Sequence, residues 1–481
     1  MKKKYLYIIS LFLVIILLSS FFIGYSDNKL INTIKYYVPK SVKNFVKDKI
    51  FFISDIKSKI YIIDKIVKAQ NNEINDLKKQ TKIQKENINY LLKQFSENNS
   101  KITLPLIEKS RNIKTEKNNM YQIKKFYYSA TPWQYNQRKP SGYLYQHNDN
   151  IFVVSGSGEI NYFNINEIDN NELNLKFIKN NILEFLDDQN IVKSGKVSIR
   201  GIFIKDKRIF LSYMKKIKEN CYNIAIMNSE LNLEKLIFSD FFTFDDCSAD
   251  ISNHTGGRMI EFNENSFLFT IGDGQKYAEA QKDNSLWGKI LQININGKDS
   301  KILAKGLRNT QGGDYYEKGK ILIMSDHGPS GGDEINILNL EELLNGKTNF
   351  GWPIATYGEI KYIEINENKF TVKDKLNHKK NGFKEPLEHF SPSVAPSHIL
   401  NVNNLKNNFQ NDFFLSTMGN SPGIGRRSIH HLRLDNNFEK IIYKDVIGLD
   451  ERIRDMIYIK DKKRIILLLE LSPSIAVLEP I

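Results

Sequence analysis

Three textures follow one another along the chain. Behind Met1-Lys2-Lys3-Lys4, Tyr5 to Ile23 is a nearly unbroken apolar stretch of nineteen residues. At helical rise it extends about 28 Å, close to the thickness of a bilayer core. The lysines are expected to stay cytoplasmic, which puts the bulk of the chain on the far side. The stretch is longer than the usual apolar region of a cleaved signal peptide, and Phe21-Phe22-Ile23-Gly24-Tyr25 offers no small-x-small cleavage site. An uncleaved transmembrane signal anchor over 1–25 is therefore predicted, with a cleaved peptide as the alternative. In a Gram-negative cell this means a single-pass inner (cytoplasmic) membrane protein whose bulk faces the periplasm.

Residues 53–95 carry a heptad seam through Ile53, Ile56, Ile60, Ile63, Val67, Gln70, Ile74, Leu77, Thr81, Gln84, Ile88, Leu91 and Phe95. Lys, Asn, Glu and Asp fill the intervening positions, and no Gly or Pro interrupts. A coiled coil about 65 Å long is predicted. It implies a 26–100 stalk and a homo-oligomer, with dimer and trimer both open because β-branched residues occupy both seam positions. Residues 101–131 read as linker. From about Pro132 the period changes to short apolar runs between Gly, Asn and Asp turns. These runs are Ile151–Val154, Arg208–Tyr213, Ser266–Thr270, Lys320–Met324, Asp412–Leu415 and Arg464–Leu468. No long helical pattern separates them, so an all-β fold over 132–481 is predicted. A propeller of four-stranded blades suits that length better than a sandwich.

Composition narrows the function. The 481 residues are 41% hydrophobic and 11% aromatic, which excludes wholesale disorder. Two cysteines exclude a disulfide-framework miniprotein and Cys-rich metal clusters. Cys221 and Cys247 are either a pair in an oxidising compartment or two free thiols. Against 55 acidic residues stand 69 Lys and Arg, for a net charge of +14. The lysines are dispersed rather than patched, so no nucleic-acid partner is expected.

Four turn-rich segments carry the candidate chemistry. Asn253-His254-Thr255-Gly256-Gly257-Arg258 opens a strand that leads to Gly272-Asp273-Gly274. A histidine on such a turn suits general-base work. Gly306-Leu307-Arg308-Asn309-Thr310-Gln311-Gly312-Gly313 can set a guanidinium and an amide against an anionic, carbonyl-rich ligand. Asp326-His327-Gly328-Pro329-Ser330-Gly331-Gly332-Asp333-Glu334 turns sharply and offers hard oxygen ligands of the kind calcium selects, at a spacing unlike an EF-hand. In Glu451-Arg452-Ile453-Arg454-Asp455, residues two apart share a strand face, so Arg452 and Arg454 would present two guanidinium groups together.

These segments resemble the soluble PQQ-dependent glucose and aldose-sugar dehydrogenases of the glucose/sorbosone dehydrogenase family. The resemblance covers roughly residues 130–480 and rests on an ordered set: NHTGGR at 253–258, Ala280-Gln281 with Leu286-Trp287-Gly288-Lys289, LRNTQG at 307–312, HGPSGGDEIN at 327–336, NFGWP at 349–353, SPSVAPS at 391–397 and RIRD at 452–455. It implies a six-bladed β-propeller, with PQQ (pyrroloquinoline quinone) over the central axis and Ca2+ beneath it. His254 would be the general base. Arg308 and Asn309 would contact the quinone, with Tyr362 against the cofactor and Arg452 and Arg454 on its carboxylates. Calcium would be held by Gly328, Pro329, Glu334 and the carbonyl of Phe350. The implied reaction oxidises the C1 hydroxyl of an aldose sugar, with a quinone or cytochrome as electron acceptor.

The chain also departs from the family. The 194–201 stretch lacks the Gln that contacts PQQ. Ser416-Thr417-Met418-Gly419 lacks a cofactor Lys, with Arg426 and Arg427 nearby. About six residues around Leu340–Leu344 are extra. A propeller that has lost the cofactor and acts as a ligand- or protein-binding module is the alternative.

Overall fold

A computed structural model describes residues 101–128, 142–186, 198–249, 254–297, 299–329, 331–358, 378–406, 409–419 and 425–481, with residue 70 and the short stretches 363–365 and 368–370. The predicted membrane anchor over 1–25 lies outside the described residues, as does the predicted coiled coil over 26–100 apart from Gln70. Among the described residues no helix is long and apolar enough to cross a membrane.

Strand pairing groups the described body into six four-stranded antiparallel blades. Blade 1 runs Gly142–His147, Asn150–Ser155, Ile160–Asn164 and Glu172–Asn180. Blade 2 runs Ile199–Lys205, Arg208–Lys218, Cys221–Glu230 and Ser239–Phe242. Blade 3 runs Gly256–Asn263, Ser266–Ile271, Lys289–Asn294 and Ser300–Lys305, and Thr348–Asn349 pairs with its outer edge. Blade 4 runs Thr310–Tyr316, Ile321–Asp326, Asp333–Asn339 and Glu388–Phe390. Blade 5 runs Pro396–Asn401, Asp412–Thr417, Ser428–Leu434 and Ile441–Gly448. Blade 6 runs Ile453–Ile459, Arg464–Leu469 and Ser474–Pro480, and takes its outermost strand, Met120–Tyr127, from the other end of the body. The first strand of each blade touches the first strands of both neighbours, and blade 6 meets blade 1, so the ring is closed.

Apolar burial lies between blades. Each of six clusters joins two neighbours; Phe203 and Phe210 of blade 2, for example, pack on Phe267 of blade 3. A blade's second strand is therefore covered on both faces. In Ser266–Ile271, Ile321–Asp326 and Asp412–Thr417 every residue is buried. That is why these strands read as continuous apolar runs rather than as alternation.

The expected linker over 101–131 is corrected. Lys101–Lys114 and Met120–Tyr127 are strands: the first pairs with both Met120–Tyr127 and Glu172–Asn180, and so ties blade 6 to blade 1. Tyr121 and Ile123 point inward, as does Lys125, whose ammonium meets Glu451 and Glu108, each at 3.1 Å. A lysine at an inward position broke the apolar alternation that would have revealed the strand. The two cysteines, left open above, are joined as Cys221–Cys247.

Candidate active site

The loops that enter first strands and leave second strands gather at one end of the propeller. His254 lies just ahead of blade 3's first strand. Gly256 and Gly257 adopt φ of +63° and +103°, and a Cβ on Gly256 would stand 2.8 Å from Thr270 O. Only glycine turns the chain there without strain. The imidazole is 8% exposed. Its Nδ1 lies 2.8 Å from Asp273 Oδ1, and its Nε2 lies 2.9 Å from Arg308 Nη2. A guanidinium has no acceptor, so Arg308 donates and Nε2 carries the lone pair. The ring proton therefore sits on Nδ1 and is donated to Asp273. Asp273 Oδ2 accepts from Trp352 Nε1 at 2.7 Å, and the Trp352 ring lies under the Arg308 guanidinium, 5.3 Å from its centre.

Arg308 and Asn309 precede blade 4's first strand. Their backbone N–H groups donate to Asp326, at 2.9 and 2.6 Å. Arg308 Nη1 donates to the carbonyl of His327 at 2.9 Å, and Asn309 Oδ1 accepts from Gly256 N at 3.2 Å. His254, Arg308 and Asn309, from two blades, thus form one hydrogen-bonded unit. Burial raises Asp326 to about 6, against the pull of those N–H donors. Burial also pushes His327 down to about 4, although the Asp333 charge pulls the other way. Its ring is neutral at physiological pH.

A cavity of about 10 Å3, room for one water or a bare ion, is lined by Arg308, Asp326, His327, Gly328, Glu334 and Phe350, among others. Three of the four predicted calcium residues therefore face one space. The fourth, Pro329, packs against Gly358. Burial, and then the Asp326 charge, push Glu334 up to about 8. Asp333 turns to the other strand face. It accepts from Ser393 Oγ, Val394 N, Ala395 N and Gly328 N, so it clamps two loops together rather than offering a ligand. Among the described residues no three His, Cys, Asp or Glu side chains are grouped to hold a metal.

Arg452 and Arg454 do present their guanidinium groups together, on Glu470, at 2.9 and 2.6 Å. Arg454 also reaches Gln311 Oε1 at 3.4 Å. Tyr362 lies outside the described residues. Sequence reasoning missed Asp273, Asp326, Trp352 and Glu470. Of these, Asp273 stood in a Gly-Asp-Gly turn, Asp326 opened the oxygen-rich turn and Trp352 lay in the NFGWP motif, whereas Glu470 had no visible signal.

A closed propeller with an imidazole–guanidinium site on its loop face defines the class. The chain belongs to the glucose/sorbosone dehydrogenase family, whose profile matches residues 194–472. The aldose sugar dehydrogenase of Escherichia coli is 29% identical over 211 residues, 40% of this chain and 53% of that protein. The chain thus spans about half the length of that curated relative. A glucose dehydrogenase crystal structure superimposes with a TM-score of 0.55 at 18% identity, over 73% of this chain and 98% of its own. The PQQ-bound aldose sugar dehydrogenase of Streptomyces coelicolor does so with 0.50 at 16% identity, over 75% and 98%. At such identities these two similarities establish the shared fold.

Proposed function

We propose that this protein is a PQQ- and calcium-dependent dehydrogenase that oxidises the C1 hydroxyl of aldose sugars. The observation that carries the reading is the His254 imidazole, held with its proton toward Asp273 and its lone pair at Nε2 beside Arg308. Nε2 is the atom that would take the C1 hydroxyl proton, once that hydroxyl replaces the Arg308 N–H at its one lone pair. Asp273 then faces the resulting imidazolium and stabilises it.

The residues present fit the cofactor. Arg308 Nε and His327 Nε2 are buried beside the cavity without a hydrogen-bond partner, which suits a site completed by a carbonyl-rich anion. Arg308 and Asn309 would hold the quinone edge. Arg452 and Arg454, which share one carboxylate between two positive charges, would hold its carboxylates. Bound PQQ supplies the two-electron acceptor. Calcium fits the buried carboxylates of Glu334 and Asp326, with the carbonyls of Gly328 and Phe350 as neutral oxygens.

The joined cysteines support a compartment outside the cytosol. With the apolar N-terminal stretch they favour a periplasm-facing protein tethered to the inner membrane, oligomeric through its heptads and passing electrons to a quinone or cytochrome. The test is His254→Ala. PQQ binding should persist while aldose-dependent dye reduction falls at least about 10²-fold. Unchanged turnover would remove His254 from its role.

A further inference from the structure

Behind the cavity, Glu334 is flanked by two buried polar side chains that keep unpaired polar atoms. Glu334 Oε2 accepts from Asn336 Nδ2 at 3.2 Å, and Glu334 Oε1 lies 3.6 Å from His378 Nε2. Asn336 and His378 are both 0% exposed. Asn336 Oδ1 and both ring nitrogens of His378 have no hydrogen-bond partner. An interior rarely leaves such atoms unpaired, since each costs about 1–3 kcal/mol.

The imidazole is also fixed in place. It stacks on Tyr357 with ring centres 5.0 Å apart and planes 11° apart, and His389 also stacks on Tyr357, at 4.0 Å. Tyr357 is anchored in turn by its hydroxyl, which donates to Glu385 at 2.5 Å. The 3.6 Å gap is too long for a hydrogen bond. It is close to the spacing of two ligands on one ion: donors about 2.1 Å from a tetrahedral metal lie about 3.4 Å from each other.

We propose that Glu334, Asn336 and His378 form a buried site for a divalent cation of the zinc or manganese class, with a carboxylate oxygen, a carboxamide oxygen and an imidazole nitrogen as donors. The nitrogen sets it apart from calcium, which takes oxygen ligands. Glu334 is shared with the calcium position proposed above. Asn336 and His378 have no part there, so the site stands whether or not a quinone binds.

The test uses the untagged full chain, stripped with chelator and titrated calorimetrically with Zn2+ and with Ca2+. One Zn2+ per chain is expected. His378→Phe, which keeps the stacked ring, should weaken zinc binding at least tenfold and leave calcium binding unchanged. X-ray absorption of the zinc-loaded wild type should show an imidazole shell, which decides the matter if the variant does not fold. Absence of stoichiometric zinc, equal zinc affinity in His378→Phe, or an oxygen-only shell would overturn the site. PQQ binding, followed separately by absorbance, shows whether the quinone reading fails on its own.

Discussion

Asp273→Asn is the most informative single change at the axial site. The native carboxylate takes three donors: His254 Nδ1 and Gln275 N on Oδ1, each at 2.8 Å, and Trp352 Nε1 on Oδ2 at 2.7 Å. An amide has one acceptor oxygen and one NH2 group, so it cannot serve all three. With its oxygen toward His254, its NH2 faces the indole N–H, and a buried donor loses its partner at about 1–3 kcal/mol. With its NH2 toward His254, it donates to Nδ1 and drives the ring proton to Nε2, which removes the base and sets N–H against Arg308. Neither orientation leaves a negative charge beside the imidazolium. A turnover loss of about 10²–10⁴, or about 2.7–5.4 kcal/mol of barrier, is expected. The assay is dye-coupled aldose oxidation at saturating PQQ, with a thermal melt and a PQQ titration alongside. kcat should fall far more than PQQ affinity. Turnover within about threefold of wild type, in a folded variant, would refute the positioning role of Asp273.

Two further expectations concern the scaffold. Lys289 is buried and donates to the carbonyls of Glu279, Ala280 and Trp287 at 2.9, 3.0 and 2.7 Å, which fixes the turn carrying Tyr277 beside His254. Lys289→Met should cost roughly 2–4 kcal/mol, read from denaturant unfolding. Burial lowers this ammonium from 10.5 to about 7. Between those values the unfolded chain binds more protons, so this group makes stability rise with pH across that window, and the methionine variant should lack that rise. Arg258 of blade 3 is paired with Asp455 of blade 6 across the axis at 2.8 Å, and Asp455 also accepts from Leu144 N of blade 1. Asp455→Asn should cost about 3–5 kcal/mol, and Arg258→Met with Asp455→Leu less than either single change, in the same unfolding assay.

The six apolar runs read from the sequence are the second strands of the six blades, one in each. They were readable because neighbouring blades bury both of their faces. First and outer strands carry polar inward groups such as Arg258 and Lys125, each matched by a distant carboxylate that linear spacing does not reveal. The site divides in the same way. His254, Arg308 and Asn309 stand in glycine-marked turns that announce themselves. Asp273 and Asp326 act by accepting hydrogen bonds from those residues, and Glu470 by accepting from Arg452 and Arg454, roles that exist only once the strands of each blade pair. His378 lies more than forty residues beyond Glu334 in sequence, and only the fold sets the two side by side.

The most direct measurement is an anaerobic single turnover. The full chain is loaded with one PQQ per chain in calcium, mixed with a panel of aldoses, and followed by quinone absorbance. Saturable one-to-one PQQ binding and loss of the quinone band with an aldose are expected, slowed at least about 10²-fold in His254→Ala. Failure to bind PQQ at micromolar concentration, or a bound quinone that no aldose reduces, would contradict the redox assignment and leave the propeller as a binding module.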